Sequence, residues 1–234
     1  MGTIRETTVQ FPGAGVQLSS YVAAPDSKGK LPALIVVQEW WGLNDHVKDI
    51  ARRCAAAGYV AIAPDLYSRF GHVVTKNPNE AGELMNRLKQ EDGIKDLLAT
   101  ITYLKSVPEV DAARLGVMGF CMGGSYALRL PCETKELKAA VPFYGQVPNP
   151  DAPLQQLACP ILYIYGEDDG WITKADVQRL AGALKKYQKV GEIKTYPGAT
   201  HAFFNDTRKE VYRPAEAKDA WGRAMAFFQQ YLKA

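Results

Sequence analysis

Six short, largely apolar runs are spaced along this chain by helix-like stretches, and that alternation narrows the possible folds more than any other feature. The runs are Ala33 to Val37, Val60 to Ala63, Leu115 to Met118, Ala139 to Tyr144, Ile161 to Tyr165 and Ile193 to Tyr196. Apolar runs of this length read as strands buried on both faces. Helical patterns fill the gaps at about residues 45–57, 80–106 (broken near Glu91-Asp92-Gly93), 123–131 and 173–187, and a last one covers 215–232. Strands alternating with helices predict an α/β fold: a three-layer, doubly wound, mostly parallel sheet with helices on both faces and right-handed crossovers. Ahead of it, Thr8 to Phe11 and Val16 to Val22 alternate with period two around Pro12-Gly13-Ala14-Gly15, the pattern of an antiparallel hairpin at a sheet edge. With 234 residues, 47% of them hydrophobic, residues 1–234 are expected to form one domain.

Composition excludes several function classes. A net charge of +3 spread over 28 basic and 25 acidic residues, with no long Lys/Arg block, argues against a nucleic-acid partner. Cys54, Cys121, Cys132 and Cys159 form no C-x-x-C pair and there are 3 histidines, so no zinc spacing can be assembled and the cysteines read as free thiols of a reducing compartment. The start, Met1-Gly2-Thr3-Ile4-Arg5-Glu6, has no apolar signal core, and Glu6 stands where a myristoylation motif needs Ser or Thr. No stretch approaches the ~20 apolar residues of a membrane span. The expectation is a cytoplasmic monomer without cofactor or metal, acting on a small molecule.

Chemistry concentrates where the third run ends. Gly119-Phe120-Cys121-Met122-Gly123 follows Leu115 to Met118 and precedes the helix-like Tyr126 to Leu130. In a G-x-nucleophile-x-G elbow a strand turns so sharply into a helix that the central residue is strained, and the glycines remove Cβ atoms that would collide. Cys121 would then sit at a helix N-terminus, whose positive dipole end favours thiolate over thiol.

In a doubly wound sheet function collects at the carboxyl ends of the strands. After Ile161 to Tyr165 comes Gly166-Glu167-Asp168-Asp169-Gly170-Trp171-Ile172, and after Ile193 to Tyr196 comes Pro197-Gly198-Ala199-Thr200-His201. The order cysteine, acid, histidine is the triad order of the α/β-hydrolase fold, and it singles out His201 as the base. The loop spacing from Gly166 to Ile172 selects Asp169 as the acid, with Asp168 the alternative. Glu39 directly follows the buried run ending at Val37; partial desolvation should raise its pKa and let it take the thiol proton. The backbone N–H groups of Met122 and Trp40 are the candidate oxyanion hole. Tyr67, Tyr144, Trp40 and Trp171 are candidates to line an aromatic pocket, while Cys54, Cys132 and Cys159 read as inert small hydrophobes.

These motifs also resemble a family. Gln38-Glu39-Trp40-Trp41-Gly42-Leu43, Ala63-Pro64-Asp65-Leu66-Tyr67, Gly119 to Gly124, Tyr144-Gly145 and Tyr196-Pro197-Gly198-Ala199-Thr200-His201-Ala202-Phe203 are similar to the dienelactone hydrolases, or carboxymethylenebutenolidases, over nearly the whole chain. The resemblance implies a Cys121–Asp169–His201 triad with Glu39 as auxiliary carboxylate, and hydrolysis of an enol lactone in aromatic degradation. It also implies substrate-anchoring arginines, one of them four residues past the histidine, where this chain has Asn205. Arg87 is the candidate for the second, with Arg208 and Arg69 as substitutes or an uncharged natural substrate as the alternatives. With asparagine at that position, a weak preference for acidic substrates is expected. Two rival readings use the same thiol: an arylesterase or phosphotriester hydrolase, and a redox-sensing or ligand-binding protein in which Cys121 is oxidised or occupied rather than turned over.

Overall fold

In the computed structural model, residues 3–27 and 29–233 are described; Met1 and Gly2, on which the reading of the chain start partly rests, lie outside them. The hairpin is β1 (Ile4–Pro12) and β2 (Gln17–Pro25), antiparallel, with Phe11 opposite Leu18. Strand β2 continues antiparallel onto β4 (Val60–Pro64). From there β4, β3 (Leu31–Val37), β5 (Val110–Phe120), β6 (Leu137–Phe143), β7 (Ile161–Gly166) and β8 (Gly191–Tyr196) run parallel, giving the order β1-β2-β4-β3-β5-β6-β7-β8. This is the α/β-hydrolase fold.

The central strands are apolar throughout because both of their faces are covered. Leu34 and Val36 face one cluster, with Val47 and Ile50 of α1 (Asp45–Ala56) and Phe228 of α6 (Pro214–Leu232). Ile35 and Val37 face the other, with Leu84 of α2 (Pro78–Arg87), Leu97 of α3 (Gln90–Ser106), Leu128 of α4 (Met122–Arg129) and Leu180 of α5 (Lys174–Lys186). Each fully buried aliphatic side chain contributes roughly 1.5–3 kcal/mol.

One boundary differs from expectation. The long helical stretch breaks at Leu88 and Lys89, both extended, and not at Glu91-Asp92-Gly93. Gly93 lies inside α3, where a Cβ would stand 2.4 Å from the Tyr126 hydroxyl; the glycine serves the close packing of α3 on α4.

The chain switches direction of winding at β3, which has β4 on one side and β5 on the other. Ligands of open α/β sheets bind outside the strand ends at such a switch. Here Val37 pairs with Gly119 and Phe120 with Phe143. Glu39, Cys121 and Tyr144, the residues just past these pairs, therefore emerge side by side.

Candidate active site

A single residue, Cys121, joins β5 to α4, with φ 58° and ψ −118°. That conformation is costly for a residue with a Cβ and persists only when its surroundings impose it. They do so here through three bonds: Cys121 N–H donates to Phe143 O at 3.1 Å, and the Ser125 N–H and Oγ donate to Cys121 O at 3.1 and 3.3 Å. A Cβ on Gly119 would lie 2.1 Å from Gly123 O, and one on Gly123 2.2 Å from Val37 O. The helix start is thus wedged against the ends of β3 and β5, and only glycine fits at either position.

Below the elbow, His201 Nδ1 and Asp169 Oδ2 are 2.8 Å apart. The other oxygen of Asp169 accepts from the N–H groups of Trp171 and Ile172 at 2.7 and 2.8 Å, so the carboxyl group is buried and fixed in place. Asp168 is exposed and Glu167 pairs with Lys174 at the surface. Of the three adjacent acids, only Asp169 turns inward to the histidine. The His201 ring is held edge-on between Tyr144 and Trp171, with centroids 5.0 and 5.2 Å away.

The electrostatics of this group oppose one another. Burial alone would drive His201 toward neutrality, but the hydrogen bond to Asp169 and the interaction with the Cys121 sulfur outweigh it, and the ring's pKa rises from 6.5 to about 10. The thiol is therefore close enough to act on the imidazole, although Nε2 makes no well-formed hydrogen bond. Cys54, Cys132 and Cys159 are different: all are free and buried, and burial raises each thiol, to about 11 for Cys132 and about 12 for Cys159.

Glu39 is 1% exposed, and its pKa is raised, chiefly by burial. The charges of His46 and His201, the Asn205 hydrogen bond and the Arg208 charge all work against that rise. Asn205 Nδ2 donates to Glu39 Oε2 at 2.7 Å, and its Oδ1 accepts from Thr207 N–H and Oγ1 at 3.1 and 2.6 Å. Asn205 is itself 1% exposed. Both polar atoms of its side chain are thus engaged, in orienting Glu39 and the following loop, which leaves one Nδ2 hydrogen for the substrate contact expected from the sequence. His46, which the sequence reading leaves aside, is buried in the first turn of α1 and lies 3.3 Å from Asp206 Oδ1. The only local signal is its place just beyond the Glu39 loop.

Tyr67 is also reassigned. It is fully buried, and its hydroxyl donates to Trp40 O at 3.0 Å and meets Met122 Sδ at 3.6 Å. It ties together the two residues whose amides are the candidate oxyanion hole and presents no wall to a substrate. Neither the Met122 nor the Trp40 N–H has a partner among the described residues. Tyr144 closes the inner side, buried, with φ 38°.

A cleft of about 530 Å³ opens from Trp40 and Asn205 and is lined by Trp41, Thr75, Lys76, Arg208 and Glu210 among others. Arg208 stands 5.7 Å from the Trp41 ring and bonds Glu210 at 2.8 Å. Arg87 lies outside the cleft, stacked on Phe70 at 4.5 Å, and Arg69 is committed to Asp96 and Asp92. The structure therefore brings Arg208, and neither Arg87 nor Arg69, to the cleft. Among the described residues no cluster of three or more His, Cys, Asp or Glu side chains converges as a metal site, and no helix is long and apolar enough to cross a membrane.

The chain is similar to known proteins over most of its length. The profile of the dienelactone hydrolase family matches residues 18–232. A protein of Aquifex pyrophilus named "Protein usf" is 37% identical, covering 96% of this chain and 98% of its own length. A Synechocystis protein named "Putative carboxymethylenebutenolidase" is 35% identical over 98% of both chains. The crystal structure of a "Putative Dienelactone Hydrolase" from Klebsiella pneumoniae superposes with a TM-score of 0.91 at 34% identity, covering 98% of this chain and all of the other. The chain is a hydrolase and belongs to the dienelactone hydrolase family.

Proposed function

We propose that this enzyme hydrolyses enol lactones and activated esters through a thioester formed on Cys121. The observation that carries this is the strained Cys121 beside a half-buried His201, paired to buried Asp169, whose imidazole is strongly basic. The thiol proton passes to His201, or to Glu39 within reach of the same ring, and either transfer leaves a thiolate. Sulfur attacks the substrate carbonyl, the Met122 and Trp40 amides receive the oxyanion, and the acid just formed returns its proton to the leaving oxygen. Water then cleaves the thioester with neutral His201 as base and Asp169 orienting its ring. The cycle needs only side chains and water.

Sulfur selects the substrate. A thiol has a pKa of ~8.5 against ~15.7 for water, a stand-in for simple alcohols, so the adduct of an alkyl ester expels thiolate and reverts. An enol or phenol leaves forward. The neighbouring cleft, which Trp40 and Asn205 line and Cys121 and His201 do not, supports the same class, because Trp40 and Trp41 line it with aromatic rings and Arg208 offers a cation to a carboxylate. Relatives named as carboxymethylenebutenolidases add support.

The deciding assay offers wild type and Cys121→Ala an enol lactone bearing a carboxylate, p-nitrophenyl acetate and an ethyl ester. Wild type should turn over the first two well beyond one equivalent and neglect the third. Labelling that stops at one equivalent would instead favour a thiol sensor, and comparable rates on the ethyl ester would contradict the thioester route.

A further inference from the structure

Three polar atoms of the site are buried without a well-formed hydrogen bond: Glu39 Oε1, Tyr144 Oη and His201 Nε2, the last on a ring that interacts with the Cys121 sulfur in the free enzyme. Buried polar groups are seldom left unpaired, so three in one place call for a common explanation. They belong to one cluster. The Tyr144 and His201 rings meet edge to face, the Glu39 charge acts on both, and so does the Cys121 sulfur. Burial, reinforced by Glu39, Cys121 and Asp169, holds the Tyr144 phenol well above its usual 10, so it keeps its proton and can donate. Tyr144 is also a non-glycine residue at φ 38°, pinned by its N–H to Ile164 O at 2.7 Å. Such strain is found where the fold must aim a side chain.

In the acyl-enzyme, where the sulfur is neutral and no longer raises the pKa of the His201 ring, the three atoms complement one another: a carboxylate oxygen accepts, neutral Nε2 accepts, and a phenol donates. Together they match one water, which when buried makes about three hydrogen bonds. Such a water would donate its protons to Glu39 and His201 and accept from Tyr144, leaving one lone pair free. Building on the thioester reading above, we infer that Tyr144 and Glu39 position the water that deacylates Cys121.

In that step the free lone pair attacks the thioester carbonyl carbon while the proton shared with Nε2 moves to His201. The adduct collapses by breaking the carbon–sulfur bond, whose electron pair stays on Cys121. The product leaves as a carboxylic acid and ionises in solvent. What remains is thiolate beside imidazolium, the state from which the next attack starts. Tyr144 forms no covalent bond in this cycle and acts as a positioning residue for the water.

The test separates the two half-reactions of p-nitrophenyl acetate in Tyr144→Phe, which keeps every ring carbon. Acylation is read as p-nitrophenol release in a single turnover, and deacylation as decay of the acyl-enzyme by intact mass. Acylation should stay within about twofold of wild type and deacylation should slow by on the order of 10–100-fold, the cost of misplacing a reactant. Excess hydroxylamine, a nucleophile that concentration can substitute for positioning, should restore turnover. Unchanged deacylation, an equal loss in both steps, or no rescue would each overturn the inference. If Tyr144→Phe does not fold, as read by near-ultraviolet circular dichroism, Tyr144→Met, which also lacks the hydroxyl, takes its place and the same split with rescue is expected. Absence of any acyl-enzyme in wild type would contradict the thioester reading itself, a result distinct from these.

Discussion

Asn205 holds Glu39 through a buried 2.7 Å hydrogen bond across 166 positions of sequence. The bond orients one carboxylate oxygen and leaves the other facing the site without a partner. It is also one of the influences holding the Glu39 pKa down against burial. Asn205→Ala should therefore raise that pKa further and destabilise the fold by about 1–3 kcal/mol, the cost of an unpaired buried acceptor. Urea denaturation at neutral pH measures it. Unaltered stability would show that solvent replaces the amide without penalty.

Asp169 and Asp168 are adjacent but differ in what they touch. Only Asp169 holds His201 and is held in turn by two backbone N–H groups. Asp169→Asn should lower kcat by roughly 10³–10⁴-fold, because an amide stabilises the wrong tautomer and cannot support the cation. Asp168→Asn should change it by less than about twofold. Steady-state kinetics of the two variants decides, and the reverse ranking would move the acid.

The pH behaviour follows from the raised His201 pKa. Because the folded value, about 10, exceeds the unfolded value of ~6.5, the charged ring adds stability that is complete below ~6.5 and lost as pH rises toward 10. Part of the rise comes from the Cys121 sulfur. Once acylated, that sulfur is neutral, so the ring must titrate lower in the acyl-enzyme than in the free enzyme. Imidazole NMR should place the His201 midpoint near 10 in wild type and clearly lower in Cys121→Ala. Equal midpoints would remove the thiol from the account of that shift.

Arg208 and Lys76 are the cations that line the cleft. Arg208→Gln should reduce the preference for a carboxylate-bearing lactone over a neutral activated ester by about tenfold, since one charge-assisted bond contributes roughly 1.5–3 kcal/mol. The ratio of kcat/KM values on the two substrates measures it. A constant ratio would point to Lys76 or to an uncharged natural substrate.

Much of this arrangement is legible along the chain because it is local. Strands covered on both faces must be apolar through their length, and the elbow at Cys121 needs glycine at positions 119 and 123 whatever surrounds it. What distant segments do to one another is not legible. Asn205 sits where a substrate contact is expected and also holds Glu39, while the Tyr67 hydroxyl is bonded to Trp40. Gly93 resembles a helix break and instead makes room for Tyr126. The positive φ of Tyr144 leaves no trace in composition or spacing, because it is imposed by β6 and β7 through the bond to Ile164 O.

The most direct test of the thiol mechanism is intact-mass analysis of enzyme mixed with p-nitrophenyl acetate and quenched in acid during turnover. One acetyl group should appear on wild type, map by peptide analysis to Cys121, and disappear as substrate is exhausted. Cys121→Ala, with its fold intact, should carry no adduct and show no turnover. An adduct on another residue, or substantial hydrolysis by Cys121→Ala, would contradict the account.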